Sequence, residues 1–143
     1  MSKGNTFEND LLKLIFNGTA IANLADNASS SPLTNLYVSL HTADPGEGGD
    51  QNTSEAAYTG YSRKAVPRDG TGFTVSGNSV SPTSDIDFDV CTASPGGDIT
   101  HFAVGTASSG TGKILYSGTL TPNVVMAVGV IVRVKSTSTI TED

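Results

Sequence analysis

The hydrophobic positions of this 143-residue chain change rhythm once. Near the start they recur at helical spacing, with Phe7, Leu11, Leu14 and Ile15 on one stripe and Leu12 and Phe16 widening it. Asn5 followed by Glu8 has the spacing of a capping box, and Gly18 is a plausible stop, so the pattern predicts a helix between them. Its apolar face is wider than a lone surface helix needs. That width leaves two roles: packing on the chain's own sheet, or docking on a neighbouring subunit.

Residues 22–35 are polar turn formers with one proline and read as a loop. From Leu36 onward the rhythm is that of strands. Leu36, Val38 and Leu40 alternate with Tyr37, Ser39 and His41; Tyr58 to Val66 follow a long loop; Gly72 to Val80 fold about Ser76-Gly77-Asn78 as a hairpin. In Ser84 to Cys91, Ile86, Phe88 and Val90 should face a core while Asp85, Asp87 and Asp89 face outward. Further strands are expected at Ile99 to Gly105, Lys113 to Leu120, Val124 to Lys135 (with a break at Gly129) and Thr137 to Thr141. Such a series predicts an all-β chain, a single antiparallel β-sandwich of jelly-roll type with one N-terminal α-helix. Residues 1–20 would form the helical arm and residues 21–143 the sandwich domain.

Composition supports this class. The chain holds 17 Ser, 18 Thr and 16 Gly, and only 15% of its residues are charged. A formal net charge of −6 argues against nucleic acid, which requires clustered cations to displace counterions. The local basic group Arg63, Lys64 and Arg68 is followed by Asp69 and reads as solvated strand-end charge. Cys91 stands alone, so no intrachain disulfide can form, and it reads as a small buried residue. No stretch has the length of a membrane span or the pattern of a secretion signal, so synthesis in the cytoplasm and no membrane partner are expected.

Candidate chemistry is sparse. His41 and His101 are the two imidazoles, and no serine or cysteine sits in a nucleophile elbow. Ala107 to Lys113 approximates a phosphate loop, but Ile114 replaces the magnesium-binding hydroxyl and a strand follows where a helix is needed, so a polar hairpin turn is expected. Asp44, Glu47, Asp50 and Glu55 crowd the long loop without EF-hand spacing, and the row Asp85, Asp87 and Asp89 lies on one strand face. Solvated acids are the simpler reading of both groups. The expectation is no catalytic residue, no cofactor and no metal.

Several segments together resemble the small tailed-bacteriophage virion proteins described as tail-fibre or minor structural proteins. They are TFENDLLKLIFNGTAI, SPLTNLYVSLHTADPGEGG, TSEAAYTGYSRKAV, SVSPTSDIDFDVCTAS, ITHFAVGTASSGTGKILYSGTL and STSTITED, which span nearly the whole chain. LHTADPGE and AAYTGYSR are the most specific. The resemblance implies a non-enzymatic virion subunit, made in the host cytoplasm, that decorates or cements the capsid or attaches at the tail by multivalent contacts. Its partners would be the major capsid protein or tail components, with a homo-oligomer, a trimer, as the assembly. The alternative is a fibre-tip module that binds a host receptor or glycan, with Tyr58 and Tyr61 as stacking surfaces. Three surfaces are the candidates for contact. The helix offers Phe7, Leu11, Leu14 and Ile15; the long loop, expected to project, offers Asp44, Glu47, Asp50, Glu55 and Tyr58. The tail offers Thr139 and Ile140, as an edge strand for a neighbour. Removal of residues 1–18 should then leave a folded β domain.

Overall fold

The computed structural model describes residues 5–21, 25 and 31–142. Among these lie one helix, α1 (Asn5–Asn17), and nine strands: β1 (Asn35–His41), β2 (Lys64–Pro67), β3 (Phe73–Ser76), β4 (Ser79–Pro82), β5 (Ile86–Asp87), β6 (Ile99–Gly105), β7 (Ile114–Val124), β8 (Arg133–Val134) and β9 (Ile140–Thr141). The paired strands whose register is defined run antiparallel. The fold is all-β, of the β-sandwich class, with a single N-terminal helix. The chain divides into two compact units, each made of discontinuous stretches. One contains residues 1–35, 66–86 and 134–143, the other residues 36–65 and 87–133.

In the first unit α1 packs on the hairpin β3–β4. Glu8, Leu12 and Phe16, four residues apart, form the buried stripe, and Leu12 and Phe16 are fully buried. Phe16 meets Phe73 edge to face at 4.9 Å between ring centres. Two side-chain amides bind the helix to hairpin carbonyls: Asn9 donates to Gly77 and Asn17 to Phe73, the second at 2.9 Å. The hairpin turns at Gly77-Asn78 as expected, with Val75 opposite Val80 and Ser76 opposite Ser79. Helix α1 stops before Gly18, which takes φ 64°, a conformation costly to a side chain. The open carbonyls of the last turn are met by Arg68, whose guanidinium donates to Leu14 and Ile15.

Leu12 and Phe16, rather than the stripe of Phe7, Leu11, Leu14 and Ile15, therefore hold the helix. Removal of residues 1–18 would strip the cover from Phe73 and Val80, both 2% exposed. The tail also closes within the chain: β9 pairs with β4, placing Thr141 opposite Ser79 and Ile140 opposite Val80. Glu142 and Asn78 exchange backbone and amide hydrogen bonds beyond it. The tail strand expected to serve a neighbour thus lies at the edge of the chain's own sheet, of order β3-β4-β9.

The second unit is built on the sheet of order β2-β1-β6-β7. In β1, Val38 stands opposite Val104 and Leu40 opposite Phe102. Leu36, Val38 and Leu40 are buried as the alternation predicts. The polar face is buried as well, with Ser39 and His41 at 0% exposure, because the long loop lies over it. Several stretches depart from their expected strands, Tyr58 to Val66 being strand only from Lys64 and Thr137 to Thr141 only from Ile140. Ser84 to Cys91 keeps only β5, with Ile86 and Phe88 buried and Val90 exposed. Val124 to Lys135 leaves the β6–β7 ladder at Val124 and is strand again only at β8, which pairs with β5 in a separate two-stranded sheet. The residues between are held by isolated hydrogen bonds, so the period of two is lost there. No helix among the described residues is long and apolar enough to cross a membrane.

Candidate functional site

The densest polar arrangement in the second unit is a hub under the long loop. Gln51, on that loop, is fully buried. Its Nε2 donates to the Tyr37 carbonyl at 3.1 Å and lies 3.5 Å from Ser39 Oγ, while its Oε1 accepts from the Ala107 N–H at 3.0 Å. Its backbone N–H donates to the Gly112 carbonyl. One side chain thus links β1 to the loop joining β6 and β7, and its amide is satisfied on both sides. Space for it exists because two neighbours are glycine. A Cβ on Gly105 would lie 2.2 Å from Gln51 Cδ, and one on Gly112 would lie 2.0 Å from Gln51 Oε1.

Arg63 completes the hub. Its side chain is 2% exposed and forms a two-pronged ion pair with Glu55, Nε to Oε1 at 2.6 Å and Nη2 to Oε2 at 2.8 Å. The remaining donors reach Ala107 O, Gly110 O and Asn52 Oδ1. Tyr61 donates to Glu55 Oε1 and accepts from the Leu40 N–H. The hydrogen bonds to Glu55 raise the Arg63 pKa further, so the cation is permanent, and burial pushes the Tyr61 phenol far up, so it stays a neutral donor. Arg63 is therefore a buried structural cation, not the solvated strand end expected. Of the other two basic residues, Lys64 pairs with Asp89 at 2.7 Å and Arg68 holds the end of α1.

His41 belongs to the same network. Its Nδ1 lies 2.8 Å from the Thr53 carbonyl, which can only accept, so Nδ1 carries the proton. Nε2, at 2.9 Å from Ser39 Oγ, then accepts from that hydroxyl. Burial holds the His41 pKa below its usual value, since the neutral ring satisfies both partners. The ring thus ties the long loop, at Thr53, to β1, at Ser39.

The loop does not project as a whole. Asp44 and Glu47 are exposed, Asp50 and Glu55 are half-buried, and Tyr58 is only 3% exposed. Tyr58 donates to the Asp89 carbonyl at 2.9 Å and packs edge to face on Tyr61, and burial pushes its phenol up to about 12. Tyr58 is thereby corrected from an exposed stacking residue to a core one. The loop acids have local uses: Asp44 accepts from the Gly46 N–H, Asp50 from the Asn52 N–H, and Glu55 faces Arg63. The row on the other segment is similarly engaged, Asp85 with the Ser136 N–H, Asp87 with Arg133, and Asp89 with Lys64 and Ser62. Among the described residues no three acidic, histidine or cysteine side chains converge on a metal-sized site. Residues 107–113 form the expected hairpin connection, and Cys91 is buried.

On the helix, Phe7 is 40% exposed and Leu11, Leu14 and Ile15 are half-buried. At about 100° per residue, Phe7, Leu11 and Leu14 lie roughly 100° to 160° around the helix from Leu12. They form a second apolar sector beside the one the hairpin covers. Elsewhere in the second unit, an open cleft of about 370 Å³ runs between the exposed part of the loop and β7. Asp44, Gly46, Glu47 and Gly49 line one side and Ile114 to Ser117 the other. Gln51, Arg63 and this cleft were not visible in sequence. A hint existed in Gly105 and Gly112, which flank a loop that has no conformational need for both.

Gln51, Arg63 and His41 thus hold the long loop against β1 and the β6–β7 connection. The family model described as Podophage GP4 fiber I protein gp80 matches residues 2–141. The chain belongs to that family, and the resemblance read from its segments is thereby established. A search of curated proteins found no match.

Proposed function

We propose that this protein is a non-enzymatic tail-fibre subunit of a podophage, positioned by several weak contacts made at once. The observation that carries the reading is the family match over residues 2–141, whose description names a fibre rather than a capsid protein. The geometry supports it. Buried His41, Arg63, Tyr58 and Gln51 are all hydrogen-bonded to partners inside the chain, which leaves function to the outer surface. Its partners are other tail components and further copies of itself, with a trimer as the expected assembly. The second apolar sector of α1 is the anchor, because it can be covered without disturbing Leu12 and Phe16.

Complementation of particles that lack the protein tests this. Phe7→Asp and Leu11→Asp should prevent incorporation while the isolated chain stays folded, the former with little change in melting temperature because Phe7 is already 40% exposed. Full incorporation of both variants would remove α1 as the anchor.

The cleft favours a second reading, recognition of a host surface saccharide. Carboxylates at Asp44 and Glu47, the ring of Tyr116 and the Ser117 hydroxyl are the kinds of group that hold a sugar ring. Binding of host cells by purified protein that is abolished by Glu47→Ala would support that role. Equal binding by the variant would place any recognition elsewhere.

A further inference from the structure

The long loop after β1 is closed by bonds of two kinds. Backbone bonds run from the Thr42 N–H to the Ser54 carbonyl, from the Gln51 N–H to the Gly112 carbonyl and from the Ala56 N–H to the Leu40 carbonyl. Side-chain bonds come from Gln51, from Arg63 to Asn52 and Glu55, and from the His41 ring, which holds the Thr53 carbonyl. Arg63 stays a cation and Tyr61 a neutral phenol near neutral pH. His41 differs from both, because an imidazole changes charge between about pH 5 and 8.

The contacts of that ring suit its neutral form. It is 0% exposed. Its Nε2 takes the Ser39 hydroxyl proton at 2.9 Å, and Gln51 Nε2 approaches the same oxygen at 3.5 Å. A proton on Nε2 would aim two N–H donors at Ser39 Oγ and leave that hydroxyl without its acceptor. The surrounding charges oppose the proton as well. Glu55, on the loop, attracts it, but both Glu55 oxygens are engaged, by Arg63 and Tyr61. Arg63 itself adds a permanent cation. On β6, His101 stands directly opposite His41, where side chains share a sheet face and like charges repel. Burial therefore keeps the ring neutral, its pKa below the usual value, against the pull of Glu55. A protonated ring is more stable where water reaches it, and water reaches it when the loop lifts.

We infer that His41 is an acid-operated latch, whose protonation frees residues 42–54 of the long loop while the sheet beneath stays paired. The Arg63–Glu55 pair and the Ala56–Leu40 bond remain as the hinge. The open form binds the proton first, so acidification draws the loop open and a return to neutral pH closes it. Asp44, Gly46, Glu47 and Gly49 form one wall of the cleft beside β7, so opening the latch dismantles the cleft.

Amide hydrogen exchange of the full-length chain, corrected for the intrinsic rate at each pH, tests the latch. Between pH 7.5 and pH 5, protection at Thr42 and Gln51 should fall about threefold or more. Ala56 and the hairpin residues Phe73 to Pro82 should keep theirs. His41→Gln should remove the pH dependence at Thr42 and Gln51. Should that variant fold poorly, the wild-type ring decides the matter. Its nitrogen resonances should show the Nδ1–H tautomer at pH 7.5, and their titration should track the loss of protection. Protection at Thr42 and Gln51 that ignores pH, falls together with the hairpin, or falls equally in His41→Gln would overturn the proposal. So would a ring that titrates with no change at either amide. The latch needs neither the fibre role nor a ligand in the cleft, so its failure leaves both readings standing.

Discussion

The two compact units are held by different physics. In the first, α1 and the hairpin β3–β4 meet through Leu12, Phe16, Phe73 and Val80, and the polar contacts are single bonds at the margin. In the second, strand β1 is apolar on one face, while its other face is covered by a loop through Gln51, His41, Arg63 and Glu55. An apolar lock tolerates changes of shape poorly but is indifferent to pairing. A polar lock depends on every partner being present, because an orphaned buried group retains its desolvation cost. The units should therefore fail differently.

The largest effect is expected from Phe16→Ala, which empties the centre of the first unit and should cost about 3–5 kcal/mol in chemical denaturation. Loss of hydrogen-exchange protection should begin in residues 5–17 and 73–82. In the second unit, Arg63→Met leaves Glu55 facing a low-dielectric pocket and should cost about 3 kcal/mol or more. The pair Arg63→Met with Glu55→Met should cost clearly less than the sum of the two single changes. Additive losses would show that the ion pair does not act as a unit.

A smaller loss, about 1–3 kcal/mol, is expected for Gly112→Ala, since a new Cβ must displace Gln51. Gly110→Ala meets open space but strains a residue at φ 73°, so its effect would come from backbone alone. Comparison of protection at Ala107 in the two variants separates the causes.

The smallest effect is one of pH. His41 has a lowered pKa in the folded chain, so below the unfolded value near 6.5 the unfolded state binds the extra proton first. The stability from its neutral ring is complete above pH 6.5 and is lost as pH falls from there toward the folded pKa. The urea midpoint should thus drop between pH 7.5 and pH 5.5, and His41→Gln should flatten that part of the profile. A wild-type midpoint that rises on acidification would contradict the lowered pKa of the buried His41 ring.

What was legible in the sequence follows the same division. The helix, the turn at Gly77-Asn78, the buried row Leu36, Val38 and Leu40 and the hairpin at 107–113 announce themselves through period and turn chemistry, which are local. Gln51 and Arg63 do not, because a buried polar residue is defined by partners 44 to 56 positions away, such as Ala107. Tyr58 was misplaced for that reason: its neighbours in sequence are loop-like, while its contacts are Asp89 and Tyr61. The segment from Val125 to Ile131 failed in the opposite sense. Continuous apolar sequence signals burial, but a tight turn keeps three of its side chains outside. Of the candidate contact residues, Phe7 and its neighbours could be read from spacing, whereas Ile140 proves to pair within the chain.

The central claim is that this small β protein is a fibre component of the particle. Labelling of the protein on intact virions, followed by electron microscopy, tests that most directly. The account predicts label confined to the tail, at positions that repeat around its axis. Label distributed evenly over the head would contradict it and return the chain to a capsid role.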